Sequence, residues 1–426
     1  MLTLNELNVT PELLILPNGI KIVNFKRENA PVSIKCLFAA GSRFDDIEGT
    51  AHFLEHLLVA GTKRFPTKDK LAAYIESYGG SFNANTGIET LAINISIGDP
   101  KDISIASKIL QEMIFNSPFN FNNRIIETER KSILRELDER KLNPSKMIRD
   151  VYRRLFFQNT LLGRSTLGTE NSIKSITKSN LINFYKKYIL SGQVVLVTSG
   201  DISIETINKY FSSYLSDIKY STKLSNKLID INFNQRLLIE KYKINDQLYL
   251  AYGFRTGSIF NKNNSALKII DQLLGGSRSS VLMQRLRYER GLIYEINTWF
   301  DQLSDSGSWV IQTLTSKKHL QEVINIIKEE LTQIIKIGLD EDKLSFAKNK
   351  IIKSGRLYLQ TSEAWVNLHA YRQLNNSNKI WTLEDYIKEL EFVDGESIKK
   401  TAKVYLKPNK SFLVLCGDIA ENEVQL

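Results

Sequence analysis

The chain repeats one order of structural signals at offsets of 215 to 217 residues. A helical stretch followed by an apolar run ends on Gly200 in VVLVTSGDIS, and the same order ends on Gly417 in FLVLCGDIA. Upstream, AAGSRF resembles RTGSIF, and AHFLEHLLVAGT aligns with ALKIIDQLLGGS. A chain of 426 residues is also long enough for two or more domains. The repeat therefore predicts two homologous domains, each with its own core.

A polar stretch, SDIKYSTKLSNKL, separates the two copies. Its Ser, Lys and Asn content is typical of a linker. We therefore predict an N-terminal domain over residues 1–220, a linker over 221–232 and a C-terminal domain over 233–426.

The order of elements predicts the α+β class. Asn18-Gly19 favours a hairpin with a type I′ turn, and strand-like runs follow in PVSIKCLFAA and SFNANTGIETLAINISI. Helical periodicity marks GTAHFLEHLLVAG, KDKLAAYIESYG and NNRIIETERKSILRELDERKLN. Strands and helices mix without a regular βαβ alternation. We expect in each domain an antiparallel sheet packed with helices on one face.

Composition excludes several classes of protein. The net charge is +10, but Lys and Arg alternate with Glu and Asp, as in RIIETERK, so we expect no nucleic-acid binding. No run reaches the roughly 18 apolar residues of a spanning helix, so we expect no membrane segment. Cys36 and Cys416 lie in apolar runs, and the first residues lack a basic leader pattern. These features favour a reducing compartment, and we predict the cytoplasm.

The hexapeptide AHFLEH contains two of the four histidines of the chain, His52 and His56. On a helix, residues four apart share a face, so both imidazoles can bind one ion. Catalytic zinc sites use three protein ligands, so one ligand is missing. Glu55 could fill that place or act as general base, and its adjacency to His56 favours the base. In the second copy, the positions aligned with His52, Glu55 and His56 are Leu267, Ile270 and Asp271. The helix itself therefore does not require the histidines.

A carboxylate from elsewhere is the natural third ligand, and NNRIIETERKSILRELDERKLN is the richest acidic helix. Glu129 and Glu136 are seven residues apart and therefore share a face. Spacing alone does not choose Glu136 over Glu127, Glu129 or Glu139.

His52-x-x-Glu55-His56, followed eighty residues later by Glu136, resembles the inverted zinc-binding motif of the pitrilysin and insulinase family. The doubled halves resemble its short branch, which includes the mitochondrial processing peptidase and its bacterial relatives. The resemblance implies one zinc ion per chain with His52, His56 and Glu136 as ligands. It implies Glu55 as the base and Glu129 as a supporting residue. The implied activity is a zinc-dependent endopeptidase that acts on oligopeptides or unfolded segments.

The resemblance also implies substrate contacts. LMQRLRYERGLIYEI resembles the segment in which family members carry an Arg and a Tyr seven residues apart, here Arg287 and Tyr294. Asn83 and Ala84 match the edge strand on which relatives pair an extended peptide. In short members the substrate-contacting half comes from a partner subunit. Because this chain carries both sets, we expect a homodimer with composite active sites.

Two alternatives stay open for the function. One is a non-catalytic subunit, like the core proteins of respiratory complexes that resemble the same family. Such subunits usually lose part of the metal set, which this chain retains. The other is a precursor-processing enzyme that needs an inactive partner chain.

Overall fold

The structure, a computed structural model, describes residues 7, 9–117, 122–158, 160–221, 235–242, 246–375 and 380–425. Contacts divide it into two compact units. Unit 1 draws on Met1–Asp138, Arg164–Ser225 and Arg356–Glu384, and unit 2 on Glu139–Gly163, Asn226–Gly355 and Asp385–Leu426. Within the described ranges, every helix is too short or too polar to cross a membrane.

The described residues of unit 1 form six strands: β1 (Val9–Ile15), β2 (Lys21–Arg27), β3 (Val32–Phe38), β4 (Ser81–Thr86), β5 (Leu91–Ile97) and β6 (Val194–Gly200). They form one sheet in the order β1-β2-β6-β3-β5-β4. Only β2 and β6 run parallel, and the other neighbours are antiparallel. Strand β6 is buried along its whole length, which shows that both faces of the sheet are covered there.

In unit 2, the part of the chain that the structure describes contains five strands: β7 (Leu237–Glu240), β8 (Gln247–Thr256), β9 (Ile293–Gln302), β10 (Gly307–Ser316) and β11 (Phe412–Cys416). Their order, β7-β11-β8-β10-β9, repeats the order β2-β6-β3-β5-β4, and β7 and β11 again run parallel. The glycines at the ends of β6 and β11 both have positive φ, 142° at Gly200 and 155° at Gly417. The duplicated α+β fold predicted from the sequence is confirmed.

Fourteen α-helices occur in the described ranges: α1 (Thr50–Val59), α2 (Lys68–Glu76), α3 (Ile103–Phe115), α4 (Asn123–Lys141), α5 (Pro144–Phe157), α6 (Glu170–Ser175), α7 (Lys178–Phe184), α8 (Ile204–Leu215), α9 (Asn264–Leu274), α10 (Leu320–Ile337), α11 (Glu341–Tyr358), α12 (Ser362–Asn375), α13 (Leu383–Glu391) and α14 (Gly395–Tyr405). In unit 1, helices α1, α3, α7 and α8 share a core with one face of the sheet. In unit 2, helices α9, α10 and α14 do the same.

Each unit takes a helix from the other half of the sequence. Helix α12 lies on the second face of the first sheet, where His369 stacks on Phe25 with ring centroids 4.1 Å apart. Helix α5 lies on the second sheet, where Tyr152 approaches Gly253 so closely that a Cβ there would meet its hydroxyl. The sequence did not indicate this exchange. The contiguous boundaries stay a prediction, and residues 222–232 of the linker lie outside the described residues.

The first hairpin forms as predicted, but its turn is not type I′. Leu16 pairs with Ile20, so three residues form the loop, and the Gly19 N–H donates to the Leu16 carbonyl over 2.8 Å. Only Gly19 has positive φ, at 94°, whereas a type I′ turn needs positive φ at both central residues. Pro17, with its φ held near −65°, starts a wider loop that ends on the glycine.

The loop before α1 is tied to the turn between β4 and β5. The N–H groups of Ser42 and Arg43 donate to the carbonyls of Gly87 and Ile88 over 3.1 and 2.8 Å. Gly41 makes this approach possible, because a Cβ there would lie under 3.0 Å from main-chain atoms of the turn. The helix that carries His52 and the edge strand β4 are therefore held together at their ends.

We expect Gly41→Ala to lower the free energy of unfolding by about 1–3 kcal/mol, because the added methyl must push two backbone segments apart. Urea denaturation followed by circular dichroism measures the change. Gly98→Ala is the control, since a Cβ at Gly98 meets nothing within 4 Å. Equal free energies of unfolding for the two variants would show that the loop accommodates the methyl group without loss of stability.

Candidate metal centre

Helix α1 is positioned by a buried carboxylate at its start. Asp45 accepts hydrogen bonds from the N–H groups of Gly49 and Ala51, each over 2.8 Å. These bonds satisfy donors that the first turn of a helix leaves unpaired. Burial raises the pKa of Asp45 to about 7, although the two N–H donors and Arg164 favour its ionised form. The helix then buries its apolar side in the core: Ala51, Phe53, Leu54, Leu57 and Leu58.

Helix α4 brings the distal carboxylate to α1. Its apolar face, Ile126, Ile133 and Leu137, lies in the same core as the apolar side of α1. Arg130 fixes the contact further, with its guanidinium carbon 5.1 Å from the ring centre of Phe53 and a 2.8 Å hydrogen bond to the Ile176 carbonyl. Residues one turn either side of Ile133 therefore point toward α1.

Three donor atoms converge between the two helices. The Nε2 atoms of His52 and His56 each lie 3.6 Å from Oε2 of Glu136. One ligand atom from each residue lies within 4.8 Å of the others, and the imidazole centres are 4.7 Å apart with the rings at 78°. Of the four candidate carboxylates, the structure places Glu136 in this group.

The donor set fits zinc. Two imidazole nitrogens and one carboxylate oxygen are ligands that zinc prefers, and three protein ligands are the number in catalytic sites. Ligands of a tetrahedral ion at about 2.0–2.1 Å lie roughly 3.3 Å from one another, close to the observed 3.6 Å. His52 is 7% exposed, while the Glu136 side chain is 46% exposed, so the group has a buried wall and an open side.

Glu129 supports the group through His56. Its Oε2 lies 3.0 Å from Nδ1 of His56. When Nδ1 of His56 carries a proton and donates a hydrogen bond to Glu129, the lone pair is on Nε2, the atom that faces Glu136. Burial lowers the pKa of His56, but the hydrogen bonds to Glu129 and Glu136 outweigh it and raise the pKa to about 9. A bound metal would replace the proton on Nε2 of His56, because an imidazole binds a metal through an unprotonated nitrogen, and the Nδ1 proton would stay on the hydrogen bond to Glu129.

Glu55 lies beside the group and is held by a residue that sequence reasoning missed. The Thr86 hydroxyl, at the end of β4, donates to Oε2 of Glu55 over 2.6 Å. Burial raises the pKa of Glu55, although the Thr86 hydrogen bond and the charge of His56 act against the rise. Strand alternation places Thr86 on the same face as Ala84, which is a signal that could have found it.

The predicted substrate residues of β4 lie on an edge. Within the described chain, β4 pairs only with β5, with Asn83 opposite Asn94 and Ala84 opposite Ile93. Asn83 is exposed, and Ala84 is buried. The strand therefore has one edge that none of these strands occupies.

Arg287 and Tyr294 come together in unit 2. Arg287 lies in a π-helical segment, Met283–Tyr288, and Tyr294 lies at the start of β9. The guanidinium carbon is 4.5 Å from the Tyr294 ring centre. Tyr294 is 71% exposed, which is unusual for so large a side chain. Both residues line a cavity of about 660 Å³, together with Gly275, Gly276, Arg278 and Met283.

Fold and site together define a duplicated α+β protein with a His-His-Glu group in its first copy. A profile described as "Insulinase (Peptidase family M16)" matches residues 22–170, and one described as "Peptidase M16 inactive domain" matches residues 175–351. The chain belongs to this insulinase family, as the resemblance of its motif predicted. The second profile matches the half in which the metal motif is absent.

Relatives with similar sequences span nearly the whole chain. "Uncharacterized zinc protease YmxG" of Bacillus subtilis (strain 168) is 28% identical over 395 residues, which are 91% of this chain and 93% of that protein. "Probable mitochondrial-processing peptidase subunit beta, mitochondrial" of Arabidopsis thaliana is 26% identical over 441 residues, covering 98% and 80%.

A solved structure titled "Crystal structure of peptidase M16 inactive domain from Pseudomonas fluorescens" shares the fold, with a TM-score of 0.88 at 18% identity. It covers 96% of this chain and 99% of that chain. A second, "The crystal structure of a protease from Helicobacter pylori", has a TM-score of 0.85 at 18% identity, with coverage of 96% and 99%.

We expect Glu129→Ala to weaken zinc binding about 10- to 100-fold, because His56 loses the carboxylate that orients its ring. Competition with a chromophoric chelator measures the affinity. Glu127→Ala on the same helix is the control, since the Glu127 side chain is 60% exposed and contacts Arg130. Equal affinities would show that the bond to His56 does not support the metal group.

Proposed function

We propose that the chain is a zinc-dependent endopeptidase that hydrolyses oligopeptides or unfolded peptide segments, with one zinc ion per chain. The observation that carries the proposal is the convergence of donor atoms from His52, His56 and Glu136 within 4.8 Å. Membership of a peptidase family and relatives named zinc proteases support it.

The residues around the donor group supply the acid-base chemistry. Zinc, when bound, supplies Lewis-acid chemistry that polarises a carbonyl group and lowers the pKa of water. Glu55 takes a proton from the attacking water and returns it to the leaving amine. Burial raises the pKa of Glu55, and a base with a raised pKa holds the proton more readily between these two steps. Glu129 holds the His56 ring through Nδ1.

The edge strand β4 suggests how substrate is selected. A peptide that pairs with a strand edge is recognised mainly through its backbone, with limited sequence preference. Asn83 and Ala84 would lie along that peptide. Only an extended segment can pair in this way, so oligopeptides and unfolded segments fit better than folded proteins. Arg287 can donate to a peptide carbonyl, and the Tyr294 hydroxyl can donate to a developing oxyanion.

The rival of a non-catalytic subunit is less well supported. The second copy shows how this helix looks without metal chemistry. Leu267 and Ile270 are buried there, and Asp271 accepts a 2.7 Å hydrogen bond from the Trp309 indole. The first copy retains both histidines, the base Glu55, the ligand carboxylate of Glu136 and the supporting carboxylate of Glu129, which favours a working site.

A cytoplasmic location is part of the proposal. Cys36 and Cys416 are both buried and free, which supports a reducing compartment. Burial raises the pKa of both thiols, that of Cys416 to about 12, so they stay protonated and unreactive.

We expect Glu55→Gln to retain one zinc ion per chain and to lower kcat for a fluorogenic peptide at least about 10²-fold, because the base is lost. Metal analysis and peptide hydrolysis are measured on the same preparation. His52→Ala should lose zinc and activity together, and Glu139→Gln, an exposed change on α4, should retain both. Hydrolysis by pure Glu55→Gln at the wild-type rate would refute the role of Glu55.

We also propose a homodimer with composite sites, and mixing variants tests it. Glu55→Gln and Arg287→Ala should each be inactive alone. A refolded 1:1 mixture should recover about a quarter of wild-type activity, since half of the dimers are mixed and each has one intact site. Size-exclusion chromatography of the protein expressed alone measures its oligomeric state. No recovery from an active dimer would exclude sites shared between subunits, and an inactive monomer would favour a missing partner chain.

A further inference from the structure

Thr86 on β4 forms a hydrogen bond with the carboxylate of Glu55 on α1. Its hydroxyl donates to Oε2 over 2.6 Å, and its main-chain N–H also interacts with the same carboxylate. A buried threonine hydroxyl commonly bonds its own backbone or a neighbouring turn. Here it reaches instead from one element to another, from β4 to α1.

The position of Thr86 on β4 directs it to α1. Burial alternates along the strand, so Ser81, Asn83 and Asn85 are exposed while the residues between them are covered. Thr86 belongs to the covered set and ends the strand, opposite Leu91 of β5. Its side chain therefore lies on the helix side, while its backbone belongs to the edge that faces outward.

The segment that follows Thr86 is firmly held. Gly87 donates to the Thr90 carbonyl over 2.7 Å, which closes the turn to β5. Glu89 in this turn is 7% exposed and forms an ion pair with Arg43, and it accepts a hydrogen bond from the Tyr371 hydroxyl of α12. The backbone next to Thr86 is thus held by contacts that do not involve Glu55.

We propose that Thr86 is a positioning residue that holds the Glu55 carboxylate in its working rotamer. The inference rests on the proposed function, because it assigns Thr86 a part in orienting the base. A bond to Oε2 leaves Oε1 to exchange the proton with water and amine. Thr86 itself transfers no proton.

The placement also links the base to substrate. A peptide paired with the outer edge of β4 contacts the same strand whose last residue holds Glu55. Pairing that orders β4 therefore also orders the carboxylate. The effect of losing the hydroxyl should fall on the chemical step and leave peptide affinity nearly unchanged.

The test compares Thr86→Val, which keeps the shape and removes the hydroxyl, with Thr86→Ser, which keeps the hydroxyl. We expect Thr86→Val to retain zinc and KM and to lose kcat about 10- to 100-fold, and Thr86→Ser to stay within about threefold of wild type. Thr90→Val on the neighbouring turn is the control and should match wild type. Thr86→Ala replaces the valine variant if that one does not fold.

A readout without zinc separates this inference from the proposed function. In crystals of metal-free Thr86→Val, the Glu55 carboxylate should leave its wild-type rotamer or occupy several. The role of Thr86 would be overturned if Thr86→Val had the kcat of wild type, or if Thr86→Val and Thr86→Ser lost kcat equally. It would also be overturned if the Glu55 rotamer were unchanged in Thr86→Val. An inactive wild type with a displaced Glu55 in the variant would refute the endopeptidase and leave the positioning contact standing.

Discussion

The approach of the Glu136 carboxylate to the imidazoles of His52 and His56 is the contact on which the rest of the site depends. Two histidines on one helix turn cannot complete a three-ligand site, so the carboxylate must come from another element. The core supplies that element, because Ile133 of α4 is buried in the same core as the apolar side of α1. Apolar packing a few ångströms away thereby holds the two imidazoles and the carboxylate together as a group that can bind a cation.

The two copies of the sheet show how one framework serves two roles. Helix α9 occupies the place of α1, yet it buries the apolar residues Leu267 and Ile270 where the first copy has His52 and Glu55. Asp271 serves the structure by accepting from Trp309. The ends of the strands keep the same backbone conformation at Gly200 and Gly417. The fold therefore depends on the sheet and its turns, and the polar face of one helix is free to change.

Much of the fold could be predicted because its signals are local. Strand alternation, helical periodicity and the repeat identified the elements and their class. The prediction of a type I′ turn after Ile15 was wrong, because Pro17 adds a residue to the loop that the Asn-Gly pair alone does not reveal. The exchange of α5 and α12 carries no local signal at all, because an amphipathic helix does not encode which of two sheets it covers.

The sequence by itself determined the pair of imidazoles on one helix face, since a spacing of four residues has that consequence in any helix. Tertiary structure alone decided which acidic residue completes the group, because Glu127, Glu129, Glu136 and Glu139 differ only in where the packing of α4 directs them. It likewise decided that Thr86 holds Glu55. Contacts between residues 31 and 84 positions apart depend on the closure of the core, which no short stretch of sequence contains.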